Sequence, residues 1–263
     1  DVQNVGTLAW TPADNAVSSD LYFGANADTI ENATAASPEF MGSKALGSES
    51  HDPGKLDLET TYYWRVDAVY ADRTIKGLLW SFTAADFLLV DDFEAYNDID
   101  PPDPASNRIF DKWIDGFGTT TNGALVGNDL PPYAEQTIVR SGDQSMIYNY
   151  DNNLKTSEAT LTLVYPRDWT EEGVTKLSVW FRGGLANSAE RMFIALNGNS
   201  VVYHDDQAAT QKGGWNQWVI DLQAFTGVNL TNVNTVTIGL GTKNSPAAGG
   251  TGTMYFDDIR LIR

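Results

Sequence analysis

Short runs of alternating apolar and polar residues, separated by Gly, Asn, Asp and Pro, recur along all 263 residues of the chain. Alternation with a period of two is the pattern of a half-buried β-strand. Clear examples are residues 62–69, 176–181 and 235–240. No long segment has the 3.6-residue period of an amphipathic helix, although residues 26–36 and 221–226 suit short helical turns. The sequence therefore predicts an all-β protein.

The composition excludes several classes of function. The chain has no Cys and only two His, His51 and His204, which excludes disulfides, thiolate sites and multi-histidine metal centres. Its net charge is −18, from 35 acidic and 17 basic residues, and this argues against nucleic acid because little would neutralise phosphates. No apolar run suits membrane insertion and no signal peptide is present. We expect a mature or excised part of a secreted, extracellular or cell-surface protein.

A domain boundary is predicted near residues 83–86. One strand-like run, residues 79–83, ends there, and another begins at Phe87. The short connection favours two units that pack together rather than move freely. The predicted domains are residues 1–85 and 86–263.

Residues 1–85 resemble a fibronectin type III domain. The resemblance rests on four segments in order: Leu8-Ala9-Trp10-Thr11-Pro12, Asp20-Leu21-Tyr22-Phe23-Gly24, residues 56–66 and Trp80-Ser81-Phe82-Thr83. It implies that Trp10 is buried on an early strand and that Leu56, Tyr62 and Trp64 join the two sheets. The implied role is a spacer, and core packing is the simplest explanation for the aromatic residues that alternate along its strands.

Carboxylates lie inside two apolar, β-prone runs that bracket the second predicted domain. These runs are residues 87–94, which end in Asp91-Asp92-Phe93-Glu94, and residues 254–261, which contain Asp257-Asp258. An ionised carboxylate is costly in such a setting unless a cation or a donor pairs with it. Two such strands side by side would supply oxygen ligands for Ca²⁺. Solvation, or pairing with Arg260 or Arg263, is the alternative.

Residues 86–263 resemble jelly-roll carbohydrate-binding modules with a galactose-binding-domain-like fold. The resemblance rests on residues 90–94, 139–146 and 255–261. It implies a larger C-terminal β-jelly-roll sandwich next to the fibronectin type III-like sandwich, as in the tails of secreted proteins of environmental bacteria, with other domains of the same parent chain as partners. It also implies a structural calcium ion held by Glu94 and Asp257, with Asp92 and Asp258 as the alternatives.

A sugar site on a β-sandwich needs exposed aromatic rings beside planar polar groups. Alternation along residues 177–182 places Leu177, Val179 and Phe181 in the core and turns Trp180 and Arg182 outward. The other candidate ligand-binding residues are Trp215, Tyr148 and Tyr203. Core packing is the alternative for each aromatic residue, and it is the prediction for Trp113 and Trp169.

The predicted function is non-catalytic polysaccharide binding, with calcium as a structural cofactor. A structural or adhesive cell-surface module is the alternative. A polysaccharide lyase or glycoside hydrolase is a third hypothesis. Tyr203-His204 has the chemistry of a lyase base but lies in no recognisable lyase signature, and the plentiful carboxylates do not identify a hydrolase pair.

Overall fold

The protein is described by a computed structural model that covers residues 6–263. The chain divides into two compact units, one ending at Leu88 and the other running from Leu89 to Arg263. Both are built from β-sheets, which confirms the predicted all-β, sandwich-type fold class. The predicted boundary at residues 85–86 and the fibronectin type III assignment remain predictions.

The first unit consists of short strands and one short helix. Its elements are β1 (Leu8–Ala9), β2 (Ser18–Gly24), α1 (Ala27–Asn32), β3 (Phe40–Ala45), β4 (Ser50–His51), β5 (Thr61–Val69), β6 (Thr74–Ile75) and β7 (Leu79–Thr83). β1 and β4 form a two-stranded ladder, and the other strands form a five-stranded sheet in the order β3-β2-β5-β6, with β7 also paired to β5. The helix lies within the predicted helical segment 26–36 and begins where the Asn26 side chain accepts the N–H of Thr29.

A buried arginine fixes the helix on the sheet of the first unit. The side chain of Arg65 is 2% exposed. Its guanidinium donates to the Asp67 carboxylate at 2.8 Å and to the carbonyls of Glu31 and Ala33 at 2.7 and 2.8 Å. Because these carbonyls belong to the end of α1 and the residue that follows it, the charge also satisfies acceptors that a helix end leaves without partners.

The second unit contains two larger sheets. Its strands are β8 (Phe87–Asp91), in which the division between units falls, β9 (Trp113–Ile114), β10 (Leu125–Val126), β11 (Met146–Asp151), β12 (Ser157–Thr162), β13 (Lys176–Arg182), β14 (Met192–Leu196), β15 (Ser200–Tyr203), β16 (Asn216–Asp221), β17 (Thr235–Leu240) and β18 (Thr251–Ile262). The six-stranded front sheet has the order β10-β11-β18-β13-β16, with β8 on β18. The five-stranded back sheet has the order β15-β14-β17-β12-β9.

Single 3₁₀ turns interrupt the loops of the second unit, at Ile109–Asp111, Glu171–Gly173, Ala209–Gln211 and Leu222–Ala224. The last of these lies within the predicted helical segment 221–226. Among residues 6–263, none of the helices has the length and apolar character that a membrane crossing requires.

The core of the second unit lies between the two sheets. Leu177, Val179 and Phe181 of β13 are fully buried, as alternation along that strand predicts. From the back sheet, β14 contributes Met192, Ile194 and Leu196 to the same core. Its remaining residues, Phe193 and Ala195, are buried as well. The Phe193 ring lies across Gly239 of β17, where a Cβ would come within 2.0 Å of the ring.

Candidate functional site

The solvent-facing side of the front sheet carries aromatic and planar polar side chains on three adjacent strands. Arg182 of β13 lies opposite Tyr255 of β18, and Trp180 lies opposite Gln217 of β16. Directly opposed residues share a face of the sheet, with Cβ atoms about 4.5–5.5 Å apart. These four residues therefore form one continuous surface, the front-face patch. The predicted outward direction of Trp180 and Arg182 is confirmed, since both are partly exposed between buried neighbours.

A loop packs against one edge of the front-face patch. The guanidinium of Arg140 lies 4.0 Å from the ring centroid of Trp180. The indole Nε1 of Trp215 donates to the carbonyl of Val139 at 3.2 Å. One ring face of Trp180 is thus covered by Arg140, and Trp215 anchors the loop. Among residues 6–263, no guanidinium covers the ring of Tyr255 as Arg140 covers that of Trp180.

Arg182 provides the unused hydrogen-bonding capacity of the patch. Within residues 6–263 its guanidinium makes no ion pair and no side-chain hydrogen bond, although its positive charge lowers the pKa of neighbouring Tyr255. Burial outweighs this effect, so the pKa of Tyr255 is raised overall and the phenol is neutral at physiological pH. Five N–H donors of Arg182 are available beside a neutral aromatic ring.

Sequence reasoning missed Tyr255 and Gln217 as members of the patch. Both follow the same alternation that placed Trp180, since Met254 and Phe256 flank Tyr255 and are fully buried. Gln217 is exposed on β16 and donates from Nε2 to the Ser178 hydroxyl at 2.8 Å. Applying the period-two pattern to β16 and β18 would have identified them.

The prediction that Tyr148 binds ligand is wrong. Its side chain is 0% exposed and lies between the sheets, where the phenol points to the carbonyl of Ile238 at 3.4 Å. The face that Tyr148 shares with Met146 and Tyr150 is the core face of β11. A ring enclosed in the core cannot stack on a sugar.

Tyr203 lies on the outer side of the back sheet, away from the front-face patch. It faces outward with Phe193, its cross-strand neighbour. The Arg191 guanidinium lies 3.8 Å from the Tyr203 ring centroid, and the phenolic oxygen accepts the N–H of Lys243 at 3.1 Å. The structure therefore does not bring Tyr203 together with Trp180, Arg182 or Trp215.

His204 occupies a structural position. Its ring contacts Phe181 and Trp218 at centroid distances of 5.4 and 4.9 Å, and Nδ1 accepts the N–H of Asp206 at 3.0 Å. Burial lowers the pKa of His204 below its usual value, so it is neutral at physiological pH. This placement favours a packing role over that of a lyase base. Trp113 and Trp169 are fully buried, as predicted.

The opening acidic motif does not continue as a strand to Glu94. β8 ends at Asp91, and Phe93 adopts a left-handed conformation with φ 65°. Strand alternation consequently does not determine the directions of the Asp92 and Glu94 side chains. Asp92 accepts the N–H of Glu94 at 3.2 Å within this turn.

Glu94 and Asp257 hold the two ends of one loop, residues 140–144. An Asp257 oxygen accepts the N–H of Arg140 at 2.9 Å, and Glu94 accepts the N–H groups of Asp143 and Gln144 at 2.9 and 3.0 Å. Gly142 is required between them, because its φ is 69° and a Cβ would lie 2.2 Å from a Glu94 oxygen. The three motifs behind the resemblance thus meet in space.

Asp258 is a buried anion with two cationic partners. Its side chain is 0% exposed and pairs with Arg140 and Arg260, while the Ser141 hydroxyl donates to it at 2.7 Å. Burial raises the pKa of neighbouring Asp257 to about 7. Within residues 6–263, no three His, Asp or Glu side chains converge as a metal site would need. In the structure these oxygens accept N–H donors and pair with arginines, and the calcium ion remains a prediction.

Asp91 of the opening acidic motif is a half-buried carboxylate that the sequence did not single out as a functional residue. It accepts the Tyr96 hydroxyl, the indole N–H of Trp113 at 2.8 Å and the N–H of Phe93 at 2.9 Å. Enclosure by these groups raises its pKa to about 6. The donors favour the ionised form, so loss of solvation is the larger effect.

The raised pKa of Asp91 predicts that folding stability falls between about pH 4 and pH 6. The folded state holds the proton more tightly than the unfolded state, so this contribution is complete below the unfolded pKa and is lost as pH rises through the folded pKa. The effect is at most about 3 kcal/mol. Urea unfolding across this range should show the decline, and Asp91→Asn should make it shallower, leaving the part that comes from Asp257, whose pKa is raised to about 7. An equally steep decline in that variant would contradict the assignment.

No model of a known protein family matches the chain, and no curated protein matches it. Similar solved structures include the family 11 carbohydrate-binding module of the cellulosomal cellulase Lic26A-Cel5E of Clostridium thermocellum, with 16% identity, a TM-score of 0.34 and coverage of 57% of this chain and 93% of that one. CtCBM11, studied in solution, has 16% identity, a TM-score of 0.43 and coverage of 67% and 95%. An exo-β-agarase has 11% identity, a TM-score of 0.42 and coverage of 66% and 24%. At these values the likeness assigns no ligand or activity to this chain.

Proposed function

We propose that the second unit is a non-catalytic carbohydrate-binding module that takes a polysaccharide on the front-face patch. The observation that carries the proposal is the guanidinium of Arg182, which has no ion-pair partner among residues 6–263 and lies opposite Tyr255 on a solvent-facing sheet. A pyranose presents an apolar C–H face and a rim of hydroxyl groups. The Tyr255 ring matches the C–H face, and Arg182 and Gln217 match the hydroxyls.

The surroundings of the patch favour binding over catalysis. Acid–base chemistry on a glycosidic bond requires two carboxyl groups that are free to exchange protons across a cleft. The nearby carboxylates Asp257 and Asp258 are buried, and both are bonded to the loop that borders the patch. A third, Glu135, is partly exposed and accepts the N–H groups of Thr137 and Ile138 at 2.6 and 3.0 Å. Their roles are structural on this proposal.

The proposal includes the setting that the resemblance implies. The first unit serves as a fibronectin type III-like spacer, and both units belong to a larger secreted or cell-surface protein whose other domains are its partners. The proposal includes neither nucleic-acid binding nor membrane insertion. The net charge of −18 argues against nucleic acid as a partner.

Binding to a panel of soluble and insoluble polysaccharides tests the proposed function. The panel is run once with calcium and once with EDTA, by affinity electrophoresis and pull-down. Retention by one class of polysaccharide is expected. Failure to bind any of them in either arm would overturn the proposal in favour of a structural or adhesive module, and cleavage of a bound polymer would overturn the non-catalytic assignment.

We further propose that calcium stabilises the second unit at Glu94 and Asp257. Saturating calcium should raise the free energy of unfolding by about 3–4 kcal/mol at a hundred- to thousandfold excess over its dissociation constant. Glu94→Ala and Asp257→Ala should each abolish this increase, measured against the same variant in EDTA. Asp205→Ala, at an exposed acid of the same unit, is the control and should retain it. A full calcium effect in both test variants would show that the ligands lie elsewhere.

A further inference from the structure

The first unit contains a cavity that the proposed function does not use. It has a volume of about 90 Å³, and its lining includes Trp10, Thr11, Ser19, Val66, Ala68 and Trp80. By the criterion of about 10–15 Å³ per water, this space is large enough for several waters or a small ligand. The cavity lies on the face of the five-stranded sheet opposite α1, since Val66 and Ala68 alternate with the helix-facing Arg65 and Asp67.

Exposed apolar side chains surround this part of the first unit. Trp80 was expected in the core but is 44% exposed. Ile75 lies opposite Ala68 on the same sheet face and is 46% exposed, and Leu78 in the following connection is 76% exposed. The tryptophan rings adjoin one another, with centroids 6.4 Å apart for Trp10–Trp64 and 4.6 Å apart for Trp64–Trp80. A grouped set of exposed apolar residues marks a contact surface more often than scattered ones do.

One polar atom indicates the chemistry of the occupant. The Nε1 of Trp10 is buried, and within residues 6–263 it has no hydrogen-bond partner. A buried donor without an acceptor is costly, and such groups are rare in folded proteins. A pure hydrocarbon would leave this N–H unsatisfied. A ligand with an apolar ring face and oxygen acceptors at its edge could pack against the aromatic lining and accept a hydrogen bond from Trp10 Nε1.

We propose that this cavity is a second saccharide-binding site, in which one neutral sugar ring lies against Trp10 and Trp80 and accepts a hydrogen bond from Trp10 Nε1. The ligand class rests on the proposed function, whereas the place and the contacts rest on the first unit alone. The hydroxyls of Thr11 and Ser19 lie in the lining and supply further polar contacts.

Nuclear magnetic resonance of the indole N–H groups tests this inference directly. The full chain, labelled with nitrogen-15, is titrated with methyl glycosides of neutral hexoses and pentoses. Trp10→Phe identifies the Trp10 signal by its disappearance and removes the donor while keeping an aromatic wall. We expect a saturable shift of the Trp10 signal with at least one glycoside, about tenfold weaker binding in Trp10→Phe, and loss of binding in Trp80→Ala. Tenfold corresponds to about 1.4 kcal/mol.

Two controls separate this site from the front-face patch. The Trp113 signal should not move, because that indole is buried in the second unit and donates to Asp91. Arg182→Ala should leave the Trp10 titration unchanged even if it abolishes polysaccharide binding. A Trp10 signal that responds to none of the glycosides, or that changes only with protein concentration because a second copy fills the cavity, would overturn the inference. Either result leaves the polysaccharide panel to decide the proposed function by itself.

Discussion

Replacing Asp258 by Asn is expected to destabilise the second unit by about 3 kcal/mol, the lower end of the range for breaking a buried ion pair, because it leaves two partly exposed arginines without their anion. Asp258 is 0% exposed and pairs with both Arg140 and Arg260. The substitution preserves size and backbone, since Asn tolerates the left-handed conformation that Asp258 adopts with φ 48°. The change therefore keeps the size and backbone, removes the charge and turns one acceptor oxygen into a donor that faces the existing donors.

The same substitution should also weaken glycan binding. Asp258 orients Arg140, and Arg140 in turn covers Trp180 at the edge of the front-face patch. Releasing the Arg140 side chain removes its cover from the Trp180 ring, although Glu94, Asp257 and Trp215 still hold the loop. We expect a loss of affinity smaller than that from removing a patch residue itself, since Asp258 acts only through Arg140.

Urea unfolding at neutral pH measures the effect of Asp258→Asn on stability. The matched control is Asp206→Asn, which breaks the exposed pair between Asp206 and Lys212 at 2.9 Å. Exposed pairs contribute about 0–1 kcal/mol, so the control should change little. Equal effects of the two substitutions would show that the buried charge is not the anchor described here.

Arg182→Ala and Tyr255→Ala are each expected to reduce polysaccharide affinity at least about tenfold. Binding by the double variant should be too weak to detect. Each removes one half of the proposed contact, the hydroxyl donor or the stacking ring, and a loss of about 1.4 kcal/mol corresponds to tenfold. Truncation of central aromatic and arginine residues often costs about 2 kcal/mol or more at interfaces. Both side chains are partly exposed, so the melting temperature should change little.

Isothermal titration with the polysaccharide retained in the panel measures these affinities. Tyr203→Ala is the matched control, because Tyr203 is equally aromatic and partly exposed but lies on the back sheet beneath Arg191. It should bind as the unchanged protein does. Should Tyr203→Ala abolish binding while Arg182→Ala does not, the ligand lies on the back sheet and the front-face assignment is wrong.

Local pattern in the sequence was sufficient for the fold class and for the direction of many side chains. Alternation along residues 177–182 predicts the buried set Leu177, Val179 and Phe181 and the outward pair Trp180 and Arg182, and the structure confirms both. The same rule, applied to β18, would have added Tyr255 to the patch. Alternation succeeds here because a strand packed on one side has only one way to bury its apolar residues.

The bonding partners and the exposure of the polar and aromatic side chains depended on tertiary contacts. Sequence alone predicted that the acidic motifs meet, and they do, but through the loop at residues 140–144 and two arginines rather than as an evident calcium cage. The sequence made Tyr148 a ligand-binding candidate, but in the structure the back sheet covers its ring. The sequence favoured core packing for Trp80, but 44% of its side chain is exposed. Strand period determines which side of a sheet a residue occupies. Only the packing of separate elements determines whether that side is covered, and which donors, more than a hundred residues away in the chain, reach a buried carboxylate.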